Sequence, residues 1–199
     1  MSLKGSHTTA DYMEWNTMLN LIRKLYRDGD VLMSLFIGCG CFFGLRVSDL
    51  RKLTWSMLLD EDRFTLIEQK TGKRRVVKVN SEFRSHILQC KEALKIYNMK
   101  SPCFLSRLGT VITTQRINRR LKEIKTKYNL KVENFSCHSL RKTFGRKVFE
   151  ASGENAQMAL VKLSELFNLS SVAITNIYLG IHEKELLETY DWLDFSKFL

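Results

Sequence analysis

Four short segments of the chain carry side chains that could act together on a negatively charged substrate. They are Gly44–Leu50 around Arg46, Gln69–Gly72 around Lys70, His138–Arg141, and Ser171–Tyr178. Arginine and lysine are the side chains that contact phosphate in nucleic acids. Tyrosine and histidine can serve as a nucleophile and a proton-transfer group. Taken singly, each segment is weak evidence, because the same residues also occur on ordinary helix surfaces.

His138 and Arg141 are three residues apart, so on a helix they would share one face. Leu140, Phe144 and Val148 would line the adjoining apolar face. The pair would then sit at the edge of the core and be held firmly by packing, as a preorganised site requires. A helix start followed by a surface arginine explains the same four residues equally well. The same holds for Tyr178, which could be an ordinary core aromatic.

The charge of the chain is strongly positive and unevenly spread. The net charge is +11 and the pI is about 9.5, which favours nucleic acid or a membrane face as partner over neutral ligands. Residues 116–147 hold eleven basic and two acidic side chains, a local charge of +9. A second basic group lies in a predicted hairpin and comprises Lys70, Lys73, Arg74, Arg75 and Lys78. We expect these segments to contact duplex DNA. The alternative is that they are ordinary solvated surfaces of a basic protein.

The pattern of apolar residues predicts a mostly helical domain with one small antiparallel sheet, an α+β fold. Helices are predicted at 11–26, 31–43, 82–98, 113–129, 140–151, 157–167, 172–178 and 183–190, with a further short helix capped by Ser48. Strands are predicted at 64–69 and 74–79, on either side of Thr71-Gly72. Thr113 or Thr114 is the expected N-cap of the basic helix.

Several other classes of protein are not indicated. The sequence has no HExxH motif, no CxxC pair, no phosphate-binding glycine loop and no hydrolase nucleophile elbow, so no metal or cofactor is expected. The apolar run 31–45 is too short and too interrupted to span a bilayer and is interpreted as a buried helix. Five cysteines without paired spacing fit reduced thiols and a cytoplasmic location, and Cys39 and Cys41 are interpreted as small core residues.

Taken in order, the four segments resemble the tyrosine recombinase family of phage and mobile-element integrases. The resemblance runs from about Thr9 to Tyr190. Its most specific pieces are Gly44-Leu45-Arg46 with Ser48-Asp49-Leu50, then His138-Ser139-Leu140-Arg141, then Leu166–Ser171 continuing to Thr175 and Tyr178. Three weak motifs in the order and spacing of the family make a strong combined signal.

The resemblance implies a role for each of five residues. Arg46 and Arg141 would clamp the non-bridging oxygens of the scissile phosphate, and Tyr178 would be the nucleophile. His138 would handle protons, and Lys70 would be the general acid that protonates the leaving 5′-hydroxyl, with Lys73 as its rival. The implied activity is site-specific DNA recombination, for integration or excision, through a 3′-phosphotyrosine intermediate and without a cofactor.

The chain departs from the family pattern at one position within the motifs. Leu169 stands where the family usually has His or Trp, and leucine cannot donate a hydrogen bond to phosphate. We therefore expect cleavage that is slower but not abolished. His182, beyond the tyrosine, is not expected to substitute for it.

The ends of the chain also bear on its organisation. Residues 1–8 are interpreted as an expression leftover or linker, 9–182 as the catalytic domain, and 183–199 as a tail. We expect the chain to be the catalytic part of a longer protein with an amino-terminal helical domain. By resemblance, it would be a monomer alone and a homotetramer on double-stranded DNA, with no membrane involved. The tail carries a charge of −3 and much apolar surface, so it would dock on a neighbouring protomer or fold back on its own domain.

Three other functions stay open at this point. The chain could be a non-catalytic DNA-binding relative of a recombinase, which would bind DNA without forming a covalent complex. It could be a type IB topoisomerase that relaxes plasmids lacking a special site. It could also be a generic basic interaction protein, in which case the five residues would not converge in space.

Overall fold

The computed structural model of the protein describes residues 10–181, which form two compact units divided between Phe144 and Gly145. The first unit contains most of the helices and a two-stranded antiparallel sheet, which confirms the predicted mostly α fold with a small sheet. Its helices are α1 Trp15–Arg27, α2 Val31–Phe43, α3 Val47–Leu50, α4 Trp55–Leu59, α5 Ser81–Ala93 and α6 Thr114–Lys127, followed by the start of α7, Cys137–Glu150. The strands are β1 Arg63–Ile67 and β2 Arg74–Lys78.

Helix α2 is the centre of the first unit. Almost every one of its side chains is buried, as its nearly continuous apolar sequence requires, and both of its cysteines are among them. The bounds predicted for this helix are confirmed. All five cysteines of the chain are buried free thiols, which confirms the interpretation of Cys39 and Cys41 as core residues.

Two glycine positions let helix α7 approach α2 closely. A methyl group added to Gly40 would lie 2.7 Å from Leu140 Cδ1, and one added to Gly44 would lie 2.5 Å from Phe144 Cδ1. Both pairs are spaced by four residues, so they mark one shared line of contact along the two helices. Gly44 also ends α2 in the left-handed conformation, with φ of 56°, which glycine adopts without strain.

The hairpin brings a polar residue into the interior. Alternation along β1 buries Phe64 and Leu66, and the same register continues to Glu68, which is 1% exposed. The strands pair from Arg63–Lys78 to Ile67–Arg74. The turn then closes through hydrogen bonds from Glu68 N–H to Lys73 carbonyl and from Gly72 N–H to Glu68 carbonyl.

Three helices begin at residues other than the predicted ones. Helix α1 begins at Trp15 and not at 11, because Met13 N–H donates to Thr143 Oγ1 outside the helix. Helix α7 begins three residues before the predicted position, because Ser136 Oγ accepts from His138 N–H and Ser139 Oγ accepts from Ser136 N–H, a reciprocal cap. Helix α3 begins at Val47, so Ser48 lies within its first turn and is not the N-cap.

The structure also differs from the prediction at the end of one helix and by one additional helix. Helix α5 ends at Ala93, five residues earlier than predicted, because Lys95 takes the left-handed conformation with φ of 54°. Helix α4 was not predicted. Thr113 is the N-cap of α6, with its hydroxyl accepting from Arg116 N–H at 3.2 Å, which confirms one of the two predicted candidates.

The second unit holds the rest of α7, a 3-10 turn at Gly153–Asn155, α8 at Ala156–Phe167 and α9 at Val172–Leu179. These helices lie close to their predicted bounds. A methyl group on Gly145 would lie 2.5 Å from Leu179 Cδ2, so α7 and α9 pack closely there. The helix predicted at 183–190 lies outside the described residues.

No single helix within residues 10–181 is long and apolar enough to cross a membrane. Gly153–Phe167 and Val172–Leu179 are long and apolar enough only when taken together, and the two segments are bent by 89° at the break between them.

Candidate active site

The carboxyl end of α2 anchors two arginines from distant parts of the sequence. Arg141 Nη1 donates to the carbonyl of Gly44 at 2.8 Å, and Arg75 Nη2 donates to the carbonyl of Phe43 at 2.6 Å. Carbonyls at the end of a helix lack intrahelical partners and carry partial negative charge. A cationic donor is therefore stabilised at this position, and Arg141 is 5% exposed.

Arg46, two residues beyond Gly44, lies beside the same helix end. Its Nη1 contacts Glu68 Oε2 at 2.9 Å, and its side chain is 19% exposed whereas that of Glu68 is fully buried. Arg75 Nη1 reaches the other oxygen of Glu68 at 3.4 Å. One buried carboxylate thus joins a predicted site arginine to a second arginine.

The protonation of Glu68 reflects this surrounding. Burial raises the pKa of its carboxyl, but the hydrogen bond from Thr71 and the charges of Arg46 and Arg75 outweigh burial and lower the pKa below the ordinary value. Thr71 Oγ1 donates to Glu68 Oε2 at 2.8 Å. Glu68 is therefore ionised near neutral pH and balances part of the positive charge around it.

Lys70 lies at the end of the hairpin, next to a residue that is fixed to α3. Gln69 N–H donates to Oδ1 of the buried Asp49 at 2.8 Å. Arg46–Glu68 and Asp49–Gln69 are therefore two links between the α3 segment and the hairpin. Lys70 itself is exposed.

His138 stands in the first turn of α7 and is close to three cations. His138 is partly exposed, but desolvation by the surrounding protein, followed by the charges of Arg141, Lys142 and Lys70, lowers its pKa from the ordinary 6.5. The charge of Lys70 acts on His138 from the hairpin. Of the five predicted residues, Arg46 and Arg141 thus lie at the same end of α2, and the charges of Arg141 and Lys70 act on His138.

Tyr178, the fifth predicted residue, belongs to α9 of the second unit. Ser171 caps this helix by accepting from Ile174 N–H at 3.2 Å. The ring of Tyr178 is half-buried and makes an edge contact with Phe167, with ring centres 5.7 Å apart. Leu169 is half-buried in the turn between α8 and α9, where its N–H donates to Ser164 carbonyl.

The sequence assigned no role to Glu68, or to Asp49 beyond its place in the Ser48-Asp49-Leu50 motif, and Arg75 was one of the basic group in the predicted hairpin. The signal for Glu68 was present, because strand alternation puts residue 68 on the same face as the apolar residues 64 and 66. An acid in that register among so many cations indicates a buried ion pair. No comparable signal shows which main-chain carbonyl an arginine will reach.

Part of the charge in the basic segment is neutralised within the chain. Arg120 contacts Asp30 at 2.5 Å, and Lys127 contacts Asp28 at 2.9 Å. The charge available to a partner is therefore smaller than the count of residues 116–147 indicates.

The sequence of the chain is similar to those of known proteins. The model of the Phage integrase family matches residues 14–185. Tyrosine recombinase XerC of Agrobacterium fabrum is 28% identical over 164 residues, which cover 80% of this chain and 48% of that protein. Tyrosine recombinase XerD of Rhizobium meliloti is 29% identical over 145 residues, covering 72% and 45%. The chain thus spans about half the length of the curated relatives it matches.

Solved structures share the fold. The crystal structure of XerA recombinase superposes with a TM-score of 0.70 at 22% identity and covers 91% of this chain and 64% of that one. XerH site-specific recombinase, bound to palindromic difH substrate in a post-cleavage complex, gives a TM-score of 0.67 at 17% identity, covering 98% and 56%.

Proposed function

The chain belongs to the phage integrase family, and on that premise we propose that it cleaves and rejoins DNA in site-specific recombination. The observation that carries the proposal is the hydrogen bond from Arg141 to the carbonyl of Gly44, which lies two residues before Arg46 at the end of α2. Two guanidinium groups placed together suit a phosphate, since each offers charge and a planar fork of donors. The relatives named as tyrosine recombinases support the same reaction class.

In the proposed reaction, the phenol oxygen of Tyr178 attacks the scissile phosphorus of double-stranded DNA. A bond forms between this oxygen and phosphorus, and the bond from phosphorus to the 5′ oxygen breaks. The products are a 3′-phosphotyrosine and a free 5′-hydroxyl. The covalent bond retains the energy of the phosphodiester, so the reverse step rejoins a strand without ATP.

The other four predicted residues have three tasks in this scheme. Arg46 and Arg141 stabilise the extra negative charge of the pentacovalent transition state. A free phenol has a pKa of about 10, so Tyr178 needs nearby cations and a proton acceptor to attack near neutral pH. His138 takes the proton, and Lys70 donates one to the leaving 5′ oxygen.

We further propose that the chain is a monomer alone and assembles as a homotetramer on DNA. The support is the composition of residues 183–199, whose apolar and acidic side chains suit docking on a basic protein surface. Light scattering of the chain with and without a cognate duplex tests this. Removal of residues 183–199 should prevent the larger complex, and an unchanged complex would contradict the role of the tail.

The experiment that tests the reaction uses nicked DNA that carries the recombination site, so that the cleaved strand cannot be religated. An SDS-resistant adduct that disappears in Tyr178→Phe is the expected result. Tight DNA binding without any adduct, also from the full-length protein, would instead favour a non-catalytic DNA-binding relative. Relaxation of a plasmid that lacks the site would favour a topoisomerase.

A further inference from the structure

We propose that Glu68, together with Arg75, is a positioning residue that orients the guanidinium of Arg46 for the phosphate. This inference rests on the proposed function. It assigns a task to the buried carboxylate, which the cleavage scheme above does not use. Glu68 would not touch DNA, because its side chain is fully buried.

The geometry supports an orienting contact. Arg46 Nη1 is 2.9 Å from Glu68 Oε2, which is the distance of a strong charge-assisted hydrogen bond. The same oxygen accepts from Thr71 Oγ1 at 2.8 Å. Because the carboxylate is fixed at several points, it can fix the plane of a guanidinium whose edge reaches the surface.

Arg75 explains why the carboxylate stays in place. Its Nη1 contacts Glu68 Oε1, and its Nη2 donates to Phe43 carbonyl at the end of α2. Glu68 is thereby tied to the same helix end that anchors Arg141. The two arginines of the proposed clamp would then share one rigid reference, the carboxyl end of α2.

Charge gives a second reason for an acid at this point. Arg46 and Arg75 both contact the carboxylate of Glu68, and like charges repel in a partly buried site. A neutral residue at 68 would leave two half-buried guanidinium groups uncompensated. The two arginines would then separate or turn toward water, and Arg46 would lose its orientation.

The test compares Glu68→Gln with wild type, and with Glu92→Gln as the matched control on an exposed residue of α5. The readout is the single-turnover rate of adduct formation on a normal phosphodiester and on a methylphosphonate at the scissile position. A methylphosphonate lacks one negative charge, so its cleavage depends less on how the clamp is oriented. A residue needed only for folding would slow both substrates equally.

We expect Glu68→Gln to slow cleavage of the phosphodiester by about tenfold to a hundredfold, as for a reacting group held in the wrong place. The methylphosphonate should be slowed much less, and Glu92→Gln should resemble wild type on both substrates. Equal slowing of both substrates, or no slowing, would overturn the proposal.

Removing one partner of a buried ion pair can prevent folding, so Glu68→Asp provides a second variant. It keeps the charge but shortens the side chain by one methylene, and it should show the same difference between substrates. Guanidinium NMR of Arg46 supplies a readout that does not depend on cleavage. Restricted rotation in wild type and free rotation in the variant are expected, and identical spectra would overturn the proposal even if no adduct forms. Failure of wild type to form an adduct would overturn the proposed function alone.

Discussion

The guanidinium of Arg141 and the main-chain carbonyl of Gly44 are joined by a 2.8 Å hydrogen bond across 97 residues of sequence. The bond exists because α7 lies close against α2, where Gly40 and Gly44 leave room for Leu140 and Phe144. Backbone packing therefore decides where a predicted site arginine sits.

Gly44→Ala should lower the free energy of unfolding by about 2 to 4 kcal/mol, through the left-handed backbone and a clash with Phe144. The added methyl would lie 2.5 Å from Phe144 Cδ1, at a φ of 56°. Urea denaturation measures the change. Gly109→Ala is the matched control, because its φ is 74° but nothing lies within 4 Å of the added methyl. Equal losses in the two variants would show that the contact with Phe144 is unimportant.

Lys70→Ala should slow strand cleavage strongly, whereas Lys73→Ala should have a small effect. Lys70 lies near His138, whose pKa its charge helps to lower. If Lys70 is the general acid, a substrate with sulfur in place of the 5′ bridging oxygen should restore the rate, because a thiolate leaves without protonation. Single-turnover rates on both substrates decide between the lysines. If the sulfur-containing substrate restores the rate of Lys73→Ala but not that of Lys70→Ala, Lys73 is the general acid.

The pKa of His138 should lie below 6.5 in the folded protein, and Lys142→Met should raise it, since the charge of Lys142 contributes to the lowering. NMR titration of the imidazole ring measures both values, with Lys91→Met as control. The unfolded state binds the proton more readily, so this group adds stability as pH rises from its folded pKa to 6.5. The acidic limb of the cleavage rate should fall in the same range. A pKa above 6.5 would contradict the electrostatic account.

Leu169→His should increase the rate of adduct formation, because an imidazole can donate a hydrogen bond to phosphate and leucine cannot. Leu169→Phe is the control, since it fills space at this half-buried position without adding a donor. The measurement is the single-turnover rate on nicked DNA at saturating protein. Equal rates for wild type and Leu169→His would show that the departure from the family pattern is tolerated without cost.

Local sequence determined the main elements. The mostly apolar run between Asp30 and Gly44 predicted the bounds of α2 and its burial, since a helix that is apolar on nearly all sides lies in the core. Alternation on either side of Thr71-Gly72 predicted the hairpin. The motifs around Arg46, His138 and Tyr178 indicated the family, because residue type and spacing can be recognised in the sequence without knowing how the segments pack.

Tertiary structure alone decided the surroundings of the site. Arg75 turns inward to Glu68 and Phe43, whereas its neighbour Arg74 is exposed. Strand alternation puts the two arginines on opposite faces, but only the packing of the hairpin decides which face is buried. Likewise, only the close approach of α2 and α7 selects Gly44 carbonyl for Arg141. The physical reason is that side-chain periodicity is a property of one segment, whereas a hydrogen bond between distant residues depends on how two packed segments are placed.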